Sequence, residues 1–163
     1  MAYYLAPQKV LQTDDYVYVL GQNGQMYLAR YLGYDKNPTV EAQIDGYPLQ
    51  HIGRYAFRYS NVKSVQLPDT VETIGGYAFH HSLIQSVSLP DRLTTIGTWG
   101  FFGADLTSVT IPKNVTVIES NTFSYCEYMK VVYVSLIQKT PRPNIDEIID
   151  IDTNAIFSFI EGE

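Results

Sequence analysis

The sequence predicts a β-rich solenoid, a coil of stacked rungs that repeat every 22 residues. Two columns of apolar residues recur at that spacing without a gap. They are Ile52, Ile74, Ile96 and Ile118, and Phe57, Phe79, Phe101 and Phe123. A period shared by independent columns indicates a repeat architecture, in which each rung buries its apolar edge against its neighbours. We therefore expect about four rungs with a dissimilar cap at each end.

The first three rungs contain a strand of the form S-V-x-L or S-V-x-I followed by proline, and the fourth has K-V-V-Y-V at the same positions. In each strand two apolar residues stand two apart, so both side chains point to the core face while the flanking residues face water. Proline ends the strand because it has no N–H to donate to a β-ladder. The inward positions are Val65, Val87, Val109 and Val131, then Leu67, Leu89, Ile111 and Tyr133. The outward positions are Ser64 and Gln66, Ser86 and Ser88, Ser108 and Thr110, and Lys130 and Val132.

The second half of each rung supplies further core residues. Val71, Leu93 and Val115 stand three residues before the column isoleucines, and the phenylalanine column is expected to stack as one aromatic row. Two columns of small residues accompany it. They are Ala56, Ala78, Gly100 and Thr122, and Ser60, Ser82, Ala104 and Cys126. Cys126 is therefore expected to be a buried packing residue and not a nucleophile.

The two ends are expected to close the coil within a single domain, residues 1–163. Tyr16–Leu20 and Met26–Leu32 flank the turn residues 21–24 and predict a β-hairpin. Residues 1–38 are interpreted as this hairpin cap, 39–134 as repeats and 135–163 as an acidic C-terminal cap. Within the latter, residues 140–143 are interpreted as an extended linker and 155–160 as a last strand.

The segments IGRYAF, IGGYAF and IGTWGF, each followed by a strand ending in LP or IP, resemble the I-G-x-x-A-F and V-x-I-P signatures of the BspA-type leucine-rich repeats. The segment from Tyr16 onward is similar to the one that leads into that family's repeats. The resemblance covers about residues 16–134 and implies a leucine-rich-repeat array. It also implies adhesion or protein binding, since the family is found mainly in bacterial surface proteins. Glu119, Tyr133 and Val134 depart from the pattern, so the array is expected to end there.

Charge and hydropathy argue against nucleic-acid and membrane partners. Most of the net charge of −6 comes from the C-terminal end, where Arg142 is the only base among the last 23 residues. The acids there are Asp146, Glu147, Asp150, Asp152, Glu161 and Glu163. The rest of the chain is nearly neutral and shows no cluster of Lys and Arg for phosphate binding. No apolar run approaches the roughly 18 residues of a membrane span, so no membrane insertion is expected.

The segment MAYYLAPQKV lacks the basic and apolar regions of a Sec-type signal. A cytoplasmic or virion-associated location fits that observation, whereas the family resemblance implies the cell surface. The compartment is left open.

Catalytic, metal and cofactor motifs are not found. His51, His80 and His81 have no partner at zinc-ligand spacing, and His80–His81 is interpreted as a solvated turn. The carboxylates Asp146, Asp150 and Asp152 lack the loop pattern of a calcium hand. No phosphate-binding loop or nucleophile elbow occurs. We therefore expect a chain that is not an enzyme and carries no cofactor or metal.

Aromatic residues around the phenylalanine column form the candidate binding site. Four of them, Tyr55, Tyr77, Trp99 and Phe102, are predicted to be part of a ridge that binds a protein or a glycan, because aromatic faces suit both partners. The alternative is that these rings stack from rung to rung and only shield the core edge. The outward strand positions are small, polar residues, a poor composition for a binding hot spot.

Two functions follow. The first is a non-catalytic protein-binding or adhesion module. The second is a structural subunit of a larger assembly, such as a phage virion or a surface fibre. A monomer with an accessible ridge favours the first, and an obligate oligomer that buries the ridge favours the second.

Overall fold

The computed structural model describes residues 8–135 and the backbone of residues 136 and 156–161, and these residues form strands and turns. The strands are β1 Lys9–Gln12, β2 Tyr16–Leu20, β3 Met26–Tyr31, β4 Gln43–Ile44, β5 Tyr47–Ile52, β6 Ser64–Gln66, β7 Thr73–Ile74, β8 Ser86–Ser88, β9 Thr95–Ile96, β10 Ser108–Ile111, β11 Val117–Ile118, β12 Val131–Leu136 and β13 Ile156–Glu161. They coil into a β-solenoid of about 5 turns at a spacing of ~22 residues. The predicted fold is confirmed.

The predicted N-terminal hairpin is confirmed by β2 and β3, which pair antiparallel. The Gly24 N–H donates to the Gly21 carbonyl at 2.9 Å and closes the turn. Strand β1, which the sequence did not predict, pairs with the outer edge of β2. On its other side β3 pairs in parallel with β5. The hairpin therefore extends a sheet that continues through β7, β9 and β11.

The two predicted apolar columns lie in the core, except that Ile118 of the last rung is only partly buried. The isoleucines of β5, β7, β9 and β11 stand directly opposite one another in parallel register. The rings of Phe57, Phe79, Phe101 and Phe123 stack with centroids 4.9, 4.9 and 5.5 Å apart. All four phenylalanines are at most 2% exposed. The 22-residue period thus places equivalent side chains on top of one another, as predicted.

The S-V-x-L strands lie on another side of the coil, where they form two separate short sheets instead of one long sheet. Strands β6 and β8 pair in parallel, and β10, β12 and β13 form a second parallel sheet. Val65, Leu67, Val109 and Ile111 are buried, whereas Val87 and Leu89 are partly buried. Gln66, Ser86, Ser88, Ser108 and Thr110 are exposed, as predicted, and Ser64 is half-buried.

The fourth rung is shifted by one residue, so the faces predicted for Val131, Val132 and Tyr133 were wrong, whereas Lys130 is exposed as predicted. Val109 pairs with Val132, so Val132 and Val134 are buried while Val131 and Tyr133 are half-buried on the outer face. Side chains alternate along a strand, so a shift of one residue exchanges its faces. In the segment VVYV both sets of alternating positions are apolar, so its composition gave no sign of the shift.

The C-terminal side of this sheet is closed by β13, which pairs in parallel with β12. The strand expected over residues 155–160 corresponds to β13. The predicted linker at residues 140–143 and the acids at 146–152 lie outside the described residues. In the part that the structure describes, no helix has the length and apolarity to cross a membrane.

Candidate functional site

Two positions in each turn after the I-G strand have a backbone in the left-handed region. The first column holds Tyr55, Tyr77, Trp99 and Asn121, with φ of 67°, 61°, 60° and 55°. The second holds Tyr59, His81, Gly103 and Tyr125, with φ of 56°, 50°, 62° and 58°. Glycine and asparagine adopt such angles readily, whereas a bulky residue there is strained by about 1–3 kcal/mol. Six of these eight positions nevertheless carry an aromatic ring.

Hydrogen bonds between rungs hold these turns in place. The amides of Phe57 and Tyr59 donate to the carbonyls of Ala78 and His80 at 2.7 and 3.0 Å. The next turn repeats the pattern, with the Phe79 amide donating to Gly100 at 2.7 Å. The strained backbone is therefore fixed from both sides, and the rings that it carries start from fixed positions.

The structure brings the four predicted site residues into one continuous row. Ring centroids are 5.2 Å apart for Tyr55–Tyr77, 5.5 Å for Tyr77–Trp99 and 4.4 Å for Trp99–Phe102. Tyr125, 4.9 Å from Phe102, extends the row. We call these five residues the aromatic ridge. Tyr55 and Tyr125 are 38% and 53% exposed, and the others are half-buried.

The interpretation of His80–His81 as a solvated turn was half wrong. His81 is exposed and stacks on Tyr59 at 5.7 Å. His80 is only 6% exposed, because its ring stacks on Phe102 at 5.3 Å and on Trp99 at 5.9 Å. The left-handed backbone at residue 81 turns the two side chains in different directions. His80 is therefore part of the support beneath the aromatic ridge.

Gly103 makes room for the His81 ring. A Cβ at residue 103 would stand 2.5 Å from both Cε1 and Nδ1 of His81. This glycine replaces the aromatic residue that occupies the equivalent position in the other turns. The second column therefore has a gap at Gly103, and the His81 ring of the preceding turn fills it.

A cleft of about 440 Å³ opens at the hairpin end of the ridge. Its walls are Ala29, Arg30, Tyr31, Arg54, Tyr55, Ala56, Arg58 and Tyr59. The Arg54 guanidinium lies over the rings of Tyr55 and Tyr77, 4.9 and 5.0 Å from their centroids. Arg58 lies over Tyr55 and Tyr59 at 5.1 and 4.7 Å. We call this the arginine cleft.

Sequence reasoning missed the arginine cleft. A signal was available, because Arg54 and Arg58 stand where the second rung has Gly76 and His80. The first rung is therefore the basic one. Arg30 comes from β3, and its proximity to Arg54 and Arg58 depends on how the hairpin joins the sheet.

Comparison with known proteins supports the fold and decides the family. The BspA type Leucine rich repeat region matches residues 50–142 in 6 copies. The chain belongs to this family. No curated protein matches it.

Solved structures of other leucine-rich-repeat proteins are similar to this BspA-type chain. A leucine-rich repeat protein from Bacteroides capillosus has 28% identity and a TM-score of 0.71, over 78% of this chain and 99% of that one. The T. pallidum leucine rich repeat protein has 24% identity and a TM-score of 0.58, over 77% and 71%. The pneumococcal vaccine antigen PcpA has 16% identity and a TM-score of 0.67, over 81% and 42%. The last two show the fold alone.

The family also sets a general expectation for function. The leucine-rich-repeat fold supports protein-interaction and adhesion modules in general, and the family and its structural neighbours are typically non-enzymatic. In the described part of this BspA-type chain, no group of three or more His, Cys, Asp or Glu side chains is placed to hold a metal ion. Cys126 is buried, as predicted, with its Sγ 3.1 Å from the Phe101 carbonyl. Burial raises the pKa of its thiol to about 12, so the thiol stays protonated near neutral pH.

Two histidines of this BspA-type protein are held in the neutral form. Burial lowers the pKa of His80 below its usual 6.5, and the positive charges of His81 and Arg58 lower it further. Burial also lowers the pKa of His51, although Glu72 opposes the shift. His51 lies 4.4 Å from the Tyr27 ring, and its Nδ1 is 2.7 Å from the Thr73 hydroxyl.

We expect acid to destabilise the protein through these two histidines. Well above pH 6.5 both are neutral in the folded and unfolded chains, so they do not affect stability. As the pH falls through 6.5 the unfolded chain takes up protons first, so the free energy of unfolding falls, and it continues to fall until the pH reaches the lowered pKa values of the folded chain. Urea unfolding followed by circular dichroism at each pH measures this loss. His80→Phe keeps a ring without a titrating group and is expected to show a smaller loss; an unchanged loss would contradict the assignment to His80.

Proposed function

We propose that the chain is a non-catalytic protein-binding module that presents the aromatic ridge to a partner protein. The observation that carries the proposal is the row of aromatic rings on a strained backbone. Strain at a residue is retained where the side chain has a use that outweighs it. Trp99 and Tyr77 occupy positions that favour glycine or asparagine, yet the chain keeps large rings there.

The fourth turn argues against a ridge that only shields the core. Asn121 stands there in place of an aromatic residue, as the backbone prefers. Phe123 beneath it is still only 2% exposed, and Ser124 is 1% exposed. A ring in the first column is therefore not needed to bury the phenylalanine column, and the rings at residues 55, 77 and 99 are surplus to that task.

Composition and rigidity also favour the ridge over the serine-lined strands. Trp, Tyr and Arg dominate binding hot spots, whereas Ser is under-represented among them. The ridge rings already contact one another and rest on hydrogen-bonded turns, so binding orders few further side chains. Adjacent turns are about 4.8 Å apart, so the row spans enough of the coil for one modest interface.

The fourth turn supplies the substitutions for a test. Trp99→Asn with Phe102→Ser copies Asn121 and Ser124, so the fold is expected to tolerate both changes. The double variant should bind the partner at least about tenfold more weakly, a loss of about 1.4 kcal/mol or more. Proteins captured from cell-surface extracts by the wild-type chain and by the variant are compared by quantitative mass spectrometry. The affinity of each differing protein is then measured in purified form.

Ser86→Ala with Ser88→Ala, on the exposed strand face, is the control and should bind like the wild type. Equal affinity of the ridge variant and the wild type for the same partners would refute the proposal. Light scattering completes the test, since an obligate oligomer whose contacts bury the ridge would favour a structural subunit instead.

A further inference from the structure

We propose that the arginine cleft binds carboxylate groups of an acidic segment in the partner protein. The assignment rests on the proposed function, because Tyr55 belongs both to the cleft and to the aromatic ridge. A partner that covers the hairpin end of the ridge therefore also covers the cleft. The cleft would make this surface select a partner by its charge, whereas the aromatic ridge alone provides only the faces of aromatic rings.

The cleft walls carry three positive charges, those of Arg30, Arg54 and Arg58, and no carboxylate. Within the described residues, the ion pairs are Lys9–Asp45 and Arg92–Glu72, and neither involves a cleft arginine. Burial raises the pKa of Tyr31, and the charges of Asp15 and Asp35 raise it further, but neither carboxylate is within ion-pair distance of a cleft arginine. The three guanidinium groups are therefore exposed cations without a carboxylate partner in that part of the chain.

Ring contacts hold two of these guanidinium groups in place. Arg54 lies over two tyrosine rings and Arg58 over two, with Tyr55 shared between them. A guanidinium above an aromatic face keeps N–H groups at its edge, where they donate to an acceptor in the same plane. Because these guanidinium groups are already held in place before binding, less side-chain entropy is lost when the complex forms. The arrangement thus resembles a prepared anion receptor more than a set of free surface charges.

Geometry favours carboxylates of a peptide over a polyanion. A guanidinium fork matches a carboxylate in a bidentate pair. The cleft, at about 440 Å³, holds one or two such groups and not an extended chain. The sequence outside the acidic C-terminal end is nearly neutral, so the basic surface does not continue as a track for a nucleic acid or a sulfated polysaccharide. An acidic segment next to an apolar surface in the partner fits both the cleft and the ridge.

The probe is a short fluorescent peptide of alternating glutamate and tyrosine, and its control is the same peptide with glutamine in place of glutamate. Anisotropy measures binding to the full chain at low and high salt. The acidic peptide should bind the wild type at least about tenfold more tightly than the glutamine peptide, and added salt should reduce the difference. Arg54→Gln with Arg58→Gln should remove this preference. Arg92→Gln changes an exposed arginine outside the cleft and should leave it intact.

Equal binding of the two peptides, or a preference that survives the Arg54→Gln, Arg58→Gln change in a folded protein, would overturn the proposal. So would a sulfated oligosaccharide that binds at the cleft when the acidic peptide does not. The ridge variant Trp99→Asn, Phe102→Ser separates this outcome from the proposed function. If it loses the partner while the arginine variant keeps it, the ridge function stands and the carboxylate assignment fails. If both keep it, the proposed function fails too.

Discussion

Replacing Phe101 by alanine is expected to lower the free energy of unfolding by about 3–5 kcal/mol. The side chain is fully buried, and its ring lies between Phe79 at 4.9 Å and Phe123 at 5.5 Å. Truncation removes the transfer energy of the ring and leaves a cavity. The cavity has little room to collapse, because backbone hydrogen bonds fix the spacing of the turns, among them the bond from the Phe101 amide to the Thr122 carbonyl at 2.9 Å.

Urea denaturation followed by circular dichroism measures this loss, and Tyr125→Ala is the matched control. Tyr125 is an aromatic residue of the same region that is 53% exposed, so its truncation should cost about 1 kcal/mol or less. A loss for Phe101→Ala no larger than that of the control would show that the phenylalanine column is not a close-packed core element.

Most of the fold could be predicted because a solenoid repeats its own geometry. Once Ile52 and Ile74 are recognised as equivalent positions, each further isoleucine at the same spacing supports the same alignment of the rungs. That alignment predicts which side chains are buried. The hairpin was predictable for another reason, since Gly21 and Gly24 mark a turn between two alternating strands. Local signals of this kind need no knowledge of distant contacts.

The parts that could not be predicted depend on such distant contacts. Parallel pairing of β3 with β5 fixes the hairpin on the long sheet, and no residue pattern within either strand specifies the partner. The one-residue shift of β12 follows from pairing with β10, where an apolar segment fits either face. Strand β1 likewise forms on an edge that exists only once the hairpin is folded.

The candidate site divides in the same way. Period alone placed Tyr55, Tyr77 and Trp99 in one column, and the structure shows their rings in a row. Whether they bind a partner stays a prediction. Their backbone strain was not predictable, since I-G-x-x-A-F says nothing about the sign of φ. The burial of His80 depends on Phe102 of the next turn, and the arginine cleft depends on Arg30 of the hairpin.

Gly97→Ala is expected to cost about 3 kcal/mol of unfolding free energy, although it adds a single methyl group. A Cβ at residue 97 would stand 2.6 Å from the Gly76 nitrogen, 2.9 Å from the Gly75 carbonyl carbon and 3.0 Å from the Gly76 Cα. These are backbone atoms of the preceding turn, so no side-chain rotation relieves the contact. Strand β9 is paired on both sides, with β7 and with β11, so the turn has no free direction in which to shift.

The cost of a side chain at this position depends on the rung, as Glu119 at the equivalent position of the last rung shows. Strand β11 is the last strand of its sheet within the described residues, so no further strand of that sheet restrains the turn on its other side. The Glu119 carboxylate then accepts hydrogen bonds from the Thr98 amide and hydroxyl, both at 2.7 Å. Gly76→Ala is the control, because a Cβ there meets the Thr98 carbonyl oxygen at 3.1 Å and nothing else closer than 3.9 Å. Thermal and urea unfolding should rank Gly97→Ala well below Gly76→Ala in stability. Equal stabilities of the two variants would mean that neighbouring interior turns can move apart to accept a methyl group. The close approach of their backbones would then not be the reason that the interior rungs have glycine at this position.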